Sequence, residues 1–148
     1  MFPDNEIPWQ VPEDVSNSAG NLALYICSNQ QHFVGHVLGG TDFKRDREAE
    51  FNTRGGSRGE ITAKLRETAN VVAQVLSKRD EAVLALPYPQ PPADLSLSIQ
   101  RFLLHLSAHL TSHLGQAGSL RRILTHQNIT ADEVSLHTIA DLNNLTSI

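Results

Sequence analysis

Apolar residues recur along this chain at spacings of three and four, the period of an α-helix, in three long segments. The first segment follows Asn17 and Ser18, either of which can cap a helix, and it is mostly apolar up to Leu38. Gly39 and Gly40 then supply a stop signal. No stretch alternates polar and apolar residues as a half-buried strand does. The pattern therefore predicts an all-α fold.

The second segment begins at an S-x-x-E capping box, Ser57 with Glu60, and is predicted to end near residues 78–80. A polar stretch over 41–58, TDFKRDREAEFNTRGGSR, separates it from the first segment and has room for one helical turn. About 18 extended residues can span more than the roughly 30 Å of a 20-residue helix. The two flanking helices can therefore run parallel, as in a helical bundle with a long crossover connection.

The third segment follows a proline-rich stretch over 87–92 that cannot continue a helix. Asp94 or Ser96 is predicted to cap it, and it runs to about Leu124. A further T-x-x-E capping box over 130–133, followed by spaced apolar residues, predicts a short terminal helix. Three long helices and one short one result.

The length of 148 residues fits one domain, 1–148. We divide it into an extended lead-in over 1–16, bundle helices over 17–125, and a C-terminal extension with the short helix over 126–148. Trp9 is the one large anchor in the lead-in.

Composition narrows the classes of function. The formal charge is −4, and no basic stripe interleaved with aromatic residues suggests nucleic-acid binding. No run is long and apolar enough to cross a bilayer, and no signal peptide is recognisable. A single cysteine, Cys27, fits a reducing compartment, so a cytoplasmic location is expected.

The third segment carries the most distinctive chemistry. It reads HLSAHLTSHLGQAGSLRR over 105–122 and places His105, His109 and His113 four residues apart. Residues at that spacing lie on one helical face, and imidazole is the commonest side-chain ligand of zinc and similar ions. The alternative reading is that these histidines are hydrogen-bonded polar residues inside a bundle.

The chain resembles the DinB-like, or YfiT-like, superfamily of metal-binding four-helix bundles, in particular a bacterial branch of it. Four blocks carry the resemblance: Asn17-Ser18 with Gly20-Asn21-Leu22; Gly39-Gly40; Arg45-Asp46-Arg47 with Glu50-Phe51; and His109, His113, Gly115 and Gln116.

The resemblance implies a divalent metal ion, zinc, nickel or a similar one, held by one histidine from an early helix and two from the last long helix. His109 and His113 match the latter pair, and Tyr25 stands where the first histidine is expected. A phenol is a weaker ligand than a neutral imidazole because it is mostly protonated at neutral pH. His32 and His36 are displaced from Tyr25 along the helix by about 10 and 16 Å and do not replace it.

The activity implied is a metal-dependent transferase or isomerase that uses a low-molecular-weight thiol on a small electrophilic substrate. His109 and His113 would be the metal ligands, and Tyr25 a weak third ligand or a catalytic proton donor. Two alternatives stay open: a degenerate bundle without enzyme activity that serves binding or assembly, and a metal-dependent hydrolase.

The family has a long helix before the segment that contains Trp9, whereas only eight residues precede Trp9 here. The resemblance therefore predicts a bundle that lacks its first helix and leaves a core face exposed. Three remedies are open: a start codon assigned too late, a homodimer, or cover by the terminal helix.

The other residues considered for the site are mostly expected to have structural roles. His105 is expected on the surface or behind the ligands, and Gly115 is expected to permit close packing. Gln116 either orients a ligand or bonds across the bundle. Residues 45–50 are interpreted as a solvated or salt-bridged connection outside the site. Cys27 is expected simply to pack.

Overall fold

The structure is a computed structural model that describes residues 2–91 and 95–128. A 3-10 turn, Ile7–Trp9, precedes five helices: α1 (Ala19–Gln30), which continues as a π-helical segment (Gln31–Leu38), α2 (Arg47–Asn52), α3 (Arg58–Leu76), α4 (Glu81–Leu84) and α5 (Ile99–Thr125). The described residues contain no strand beyond one isolated antiparallel bridge, Pro87 with Ser98. The predicted all-α fold is confirmed.

Serine side chains cap the long helices. The Ser18 hydroxyl accepts a hydrogen bond from the Asn21 backbone N–H at 3.0 Å, so Ser18 is the cap of α1. Ser57 and Glu60 form both hydrogen bonds of the predicted capping box at the start of α3. These caps satisfy N–H groups that the first turn of a helix leaves without a partner.

The start of the third long helix was predicted wrongly. Its cap is Ser98, not Ser96, and Asp94 lies outside the described residues. The backbone N–H of Tyr88 donates to Leu97 O at 2.8 Å, and that of Ile99 donates to Leu86 O at 2.9 Å. These two bonds hold residues 97 and 98 extended, so the helix begins only at Ile99.

α1 lies between the other two long helices. α3 runs parallel to it, because the Cys27 thiol is hydrogen-bonded to Thr68 and, further along, Gly39 abuts Val75. α5 runs antiparallel, because Leu22 packs with Leu120 near one end and Phe33 lies against Phe102 near the other. The parallel arrangement predicted from the long connection is confirmed, and that connection contains α2, capped by Asp46.

The main core forms where the π-helical segment, α3 and the start of α5 meet. Its buried residues are Val34, Val75, Tyr88, Ile99, Phe102 and Leu106. Phe102 is 1 % exposed and is in ring contact with Phe33 and Tyr88, at centroid distances of 5.3 and 4.1 Å. Burial of aromatic rings at this junction fixes α5 against α1.

The backbones of α3 and α5 do not lie side by side, although side chains of both helices, Val75 and Phe102 among them, belong to the main core. Within the described ranges, no Cα of α3 lies within 8 Å of a Cα of α5. Both helices keep apolar side chains in solvent, among them Leu65 on α3 and Leu104 and Leu114 on α5. None of the described helices combines the length and apolar composition needed to cross a membrane. The terminal helix predicted after residue 130 lies outside the described residues.

Candidate metal centre

Three donor side chains meet where α1 crosses α5. The Tyr25 hydroxyl lies 3.3 Å from Nε2 of His109, which in turn lies 3.2 Å from Nε2 of His113. The Tyr25 ring contacts both imidazoles, with centroids 5.6 and 5.0 Å away. The antiparallel packing of the two helices therefore brings together the three residues singled out in the sequence.

The spacing of these donors can be compared with that of metal ligands. Two ligands at about 2.0–2.1 Å from a tetrahedral zinc ion lie about 3.3 Å apart. Both distances to His109 Nε2 agree with that edge length. In donor type and in these two spacings, two imidazoles and one phenol are compatible with a divalent ion, with the phenol oxygen as the weakest donor.

Gln116 fixes the orientation of His113. Its side-chain Oε1 lies 3.0 Å from Nδ1 of His113, one helical turn away. When Nδ1–H donates to that oxygen, Nε2 of the neutral ring carries the lone pair and points at His109. Of the two predicted roles for Gln116, the described contacts fit orientation of a ligand and not a bond across the bundle.

His109 Nε2 has two neighbours that compete for it. If this atom accepts a hydrogen bond from the Tyr25 hydroxyl, its one lone pair is occupied, and an unprotonated Nε2 of His113 at 3.2 Å then repels it. A cation between the rings, either a proton or a metal ion, removes that repulsion. Partial burial lowers the pKa of His109, and the charges of His113, His105 and Arg45 lower it further. The neutral imidazole that a metal ligand requires is therefore favoured at neutral pH.

An ion pair lies beside the donors. Arg45 donates from Nε and Nη2 to the two carboxylate oxygens of Glu50, at 2.7 and 2.9 Å. The two side chains are only 9 % and 3 % exposed, and the Arg45 guanidinium lies 5.2 Å from the centre of the Tyr25 ring. The interpretation of residues 45–50 as a salt-bridged connection is thus confirmed, and the structure places its ion pair beside Tyr25.

A family model described as the DinB superfamily matches residues 2–117. The chain belongs to the DinB superfamily. The match includes Tyr25, His109, His113 and Gln116, and it confirms the resemblance read from the sequence blocks. Comparisons with curated proteins and with solved structures gave no match.

The described residues of this DinB chain place no complete histidine triad at the donors. Within residues 2–91 and 95–128, no group of three or more His, Cys, Asp or Glu side chains is placed to hold a metal ion. His105 is exposed and stacks on His109 at 5.9 Å, as expected for a residue behind the pair. A third ligand from the described residues would therefore have to be Tyr25.

The early-helix histidines lie apart from the centre. His32 stacks on His36 with centroids 5.9 Å apart, and Nδ1 of His36 is hydrogen-bonded to Thr41 O. Both lie in the π-helical segment, where the Gly39 N–H bonds back five residues to Val34 O. The extra residue in the turn rotates these side chains away from the stripe that an uninterrupted α-helix would form.

A large cleft lies on another face of α1. It has a volume of about 1090 Å³, is open to solvent, and lies between α1, α3 and the connection, with Leu24, Cys27 and Gln31 on its α1 wall. None of the three donors lines it. Burial raises the pKa of the Cys27 thiol, which disfavours the reactive thiolate and agrees with the prediction that Cys27 simply packs.

Proposed function

We propose that this chain binds one divalent metal ion through His109 and His113, with Tyr25 as third donor, and transfers a low-molecular-weight thiol to a small electrophile. The observation that carries the proposal is the convergence of the three donor atoms, at 3.3 and 3.2 Å from one to the next. Membership of the DinB superfamily supports it.

An ion bound at these residues would lower the pKa of a bound thiol and so supply a thiolate nucleophile at neutral pH. The chain itself contributes orientation. Gln116 Oε1 can accept Nδ1–H of His113, which leaves Nε2 of a neutral ring free to bind, and ring contacts with Tyr25 and His109 fix the plane of the same imidazole. Positioning of this kind reduces the entropy cost of assembling the reactants.

The reaction is a displacement. The thiol releases its proton to solvent, and a sulfur lone pair forms the new bond to the electrophilic carbon. The bond from carbon to the leaving group breaks with its electron pair, and the leaving group takes a proton from Tyr25, which would contact the ion only as a neutral phenol and regains its proton from solvent. Tyr25 suits this role because its hydroxyl lies beside His109 and its ring is held between Phe51 and the imidazoles.

A non-enzymatic role in binding or assembly is the second candidate, and one observation favours it. The distances between the three donors are also ordinary hydrogen-bond distances, so the cluster can persist without an ion. A phenol in place of an imidazole weakens any metal site.

Metal content separates these two functions. Chain purified without an affinity tag and equilibrated with zinc should retain about one ion per chain, and His109→Ala should lose it. His105→Ala is the matched control, since it removes an imidazole one turn away on the same helix and should retain the ion. A stably folded wild type that binds no metal would rule out the metal-dependent enzyme.

The reaction class is tested next, on the metal-loaded chain. Thiol transfer predicts that an epoxide is opened to its hydroxy-thioether, with the alkoxide leaving group protonated by Tyr25, only when both thiol and protein are present. Tyr25→Phe should retain some metal and lose most of the rate. Bound metal without thiol-dependent conversion would favour the hydrolase that uses the same ligands.

A further inference from the structure

The cleft between α1, α3 and the connection has two chemically different ends. Trp9 lies at the end where α1 begins, against Gly20, and Gln31 is the last residue of the α1 wall. Gln31 follows Gly20 by eleven residues, which corresponds to roughly 16 Å along a helix. Apolar side chains line the walls between the two ends, Leu24 and Val71 among them. The cleft is therefore long and largely apolar.

Two polar side chains at the Gln31 end have no hydrogen-bond partner. Gln31 is 8 % exposed, and its side-chain amide makes no hydrogen bond to any residue that the structure describes. The Thr41 hydroxyl oxygen is buried and likewise unpartnered among residues 2–91 and 95–128. A Cβ added at Gly35 would lie 3.3 Å from Gln31 Oε1 and 3.3 Å from Thr41 Oγ1. The two unpaired groups therefore flank the same position.

The other uncharged polar side chains that line the cleft are already engaged. The Ser28 hydroxyl donates to Glu50, and those of Thr53 and Thr68 donate to backbone carbonyls one turn earlier. Native proteins leave few buried polar groups unpaired, because desolvation without a hydrogen bond costs free energy. Water can satisfy the two unpaired groups, but it leaves the apolar walls exposed. A molecule with a polar head and an apolar body satisfies both parts of the cleft.

The charges around the cleft favour an uncharged head. Six charged side chains that line it are exposed to solvent: Asp42, Lys44, Asp46, Glu60, Lys64 and Glu67. The remaining one, Glu50, is buried and is paired with Arg45. No buried cation of the described residues lines the cleft, so none is placed to bind an anionic head. A charge buried without a partner costs far more free energy than a neutral amide.

We infer that this cleft binds an uncharged amphiphile, an extended apolar chain with a primary carboxamide head, at a site separate from the metal donors. The head lies at Gln31 and Thr41, and the chain runs past Leu24 and Val71 toward Trp9. A glutamine side chain offers a carbonyl acceptor beside an N–H donor, and a primary carboxamide presents the complementary pair. The inference does not depend on the proposed function, because none of the three metal donors lines the cleft.

The test compares three probes that share one carbon chain. Decanamide carries the primary carboxamide, N,N-dimethyldecanamide keeps the carbonyl but lacks both N–H groups, and decanoate carries a charge. Each is titrated into the full chain in EDTA, below the concentration at which the probe aggregates. Calorimetry gives the affinity, and the fluorescence of Trp9, the single tryptophan, reports occupancy at the far end of the cleft. Decanamide should bind about tenfold more tightly than either comparison probe.

Three variants assign the preference to the two unpaired groups. Gln31→Leu should lower the affinity for decanamide about tenfold and leave that for decanoate nearly unchanged. The free energy of unfolding without a probe should not fall, since the amide has no partner to lose. Gln30→Leu is the matched control, because this neighbouring glutamine is 9 % exposed and does not line the cleft. Thr41→Val keeps the shape, removes the hydroxyl and should cause a smaller loss of affinity.

Four results would overturn the inference. They are no binding of decanamide up to its solubility limit, equal affinities for decanamide and decanoate, equal losses in Gln31→Leu and Gln30→Leu, and Trp9 emission that shifts with protein concentration when no probe is present. The last result would show that a second copy of the chain occupies the cleft. His109→Ala should bind decanamide as the wild type does, so this site and the metal centre stand or fall separately.

Discussion

The two faces of α1 differ in how closely they are packed. On the face toward α5, Tyr25 and two imidazoles are in ring contact and joined by hydrogen bonds. On the face toward α3, a cleft of about 1090 Å³ contains Cys27, whose thiol has a raised pKa. The closed face carries the convergent donors and the open face carries none. Cavity size alone would therefore point to the side of the helix that lacks the three donors.

The largest effect on stability is expected from a substitution in the main core, where α5 packs against α1. Phe102→Ala should lower the free energy of unfolding by about 3–5 kcal/mol, because it removes a ring that is 1 % exposed and leaves a cavity between α1 and α5. Chemical denaturation measures the change. Leu104→Ala is the matched control on the same helix, since Leu104 is 72 % exposed and its loss should cost little. Equal effects would contradict the packing of α5.

A smaller loss of stability is expected at the end of the open face, where Trp9 lines the cleft. A Cβ at Gly20 would lie 2.6 Å from the Trp9 ring, so Gly20→Ala should displace the indole and cost about 1–3 kcal/mol. The displaced indole would also lose its 2.9 Å hydrogen bond to Gly56 O. Trp9 is the single tryptophan, so its fluorescence should shift to the red. Gly55→Ala, with no atom within 4 Å of the new Cβ, should change neither quantity.

The two faces should also respond to opposite ends of the pH range. His109 has a pKa below its ordinary 6.5, so the unfolded state takes up its proton first and stability falls as pH drops below about 6.5. Cys27 has a pKa above its ordinary 9.0, so the unfolded state loses its proton first and stability falls as pH rises above about 9. Each effect should be below about 1 kcal/mol after screening by solvent.

Urea denaturation in EDTA, at pH 5.5, 7.5 and 9.5, measures both slopes. His109→Gln should flatten only the acid limb, and Cys27→Ala only the alkaline limb. A wild-type stability that rises on acidification would contradict the assignment of His109 as a neutral imidazole.

Local rules predicted most of the fold. The long helices were predicted from apolar spacings of three and four and, for α1 and α3, from their serine caps. The parallel arrangement of α1 and α3 was predicted from the length of the connection between them. The misplaced start of α5 came from a non-local effect, the backbone bonds that Tyr88 and Ile99 make across the proline-rich turn. The π-helical segment was not predicted either, because apolar spacing does not mark where a turn takes up an extra residue.

The three donor residues of the candidate site were predicted from the sequence, but the position of the ion pair beside them was not. Tyr25, His109 and His113 were identified from spacing and resemblance, which require no knowledge of packing. Arg45 was assigned to a solvated or salt-bridged connection because charge runs in connections usually form one or the other. The signal that could have placed it was the spacing of five to Glu50, across the start of a one-turn helix, directly before the aromatic Phe51. Only the fold shows that this pair is buried against α1.

The smallest effect is expected at Gly115, which was predicted to permit close packing and does not. No atom of the described residues lies within 4 Å of a Cβ built there, and the residue is exposed in the interior of α5. Gly115→Ala should therefore stabilise the chain by about 0.5–1 kcal/mol, since alanine loses less backbone entropy in a helix. Gly40→Ala should do the reverse, because Gly40 has a φ of +71°. If Gly115→Ala raises stability but weakens zinc binding, the flexibility of this turn, two residues after His113, helps the donors to reach the ion. Unchanged zinc binding would show that packing against α1 alone holds the donors in place.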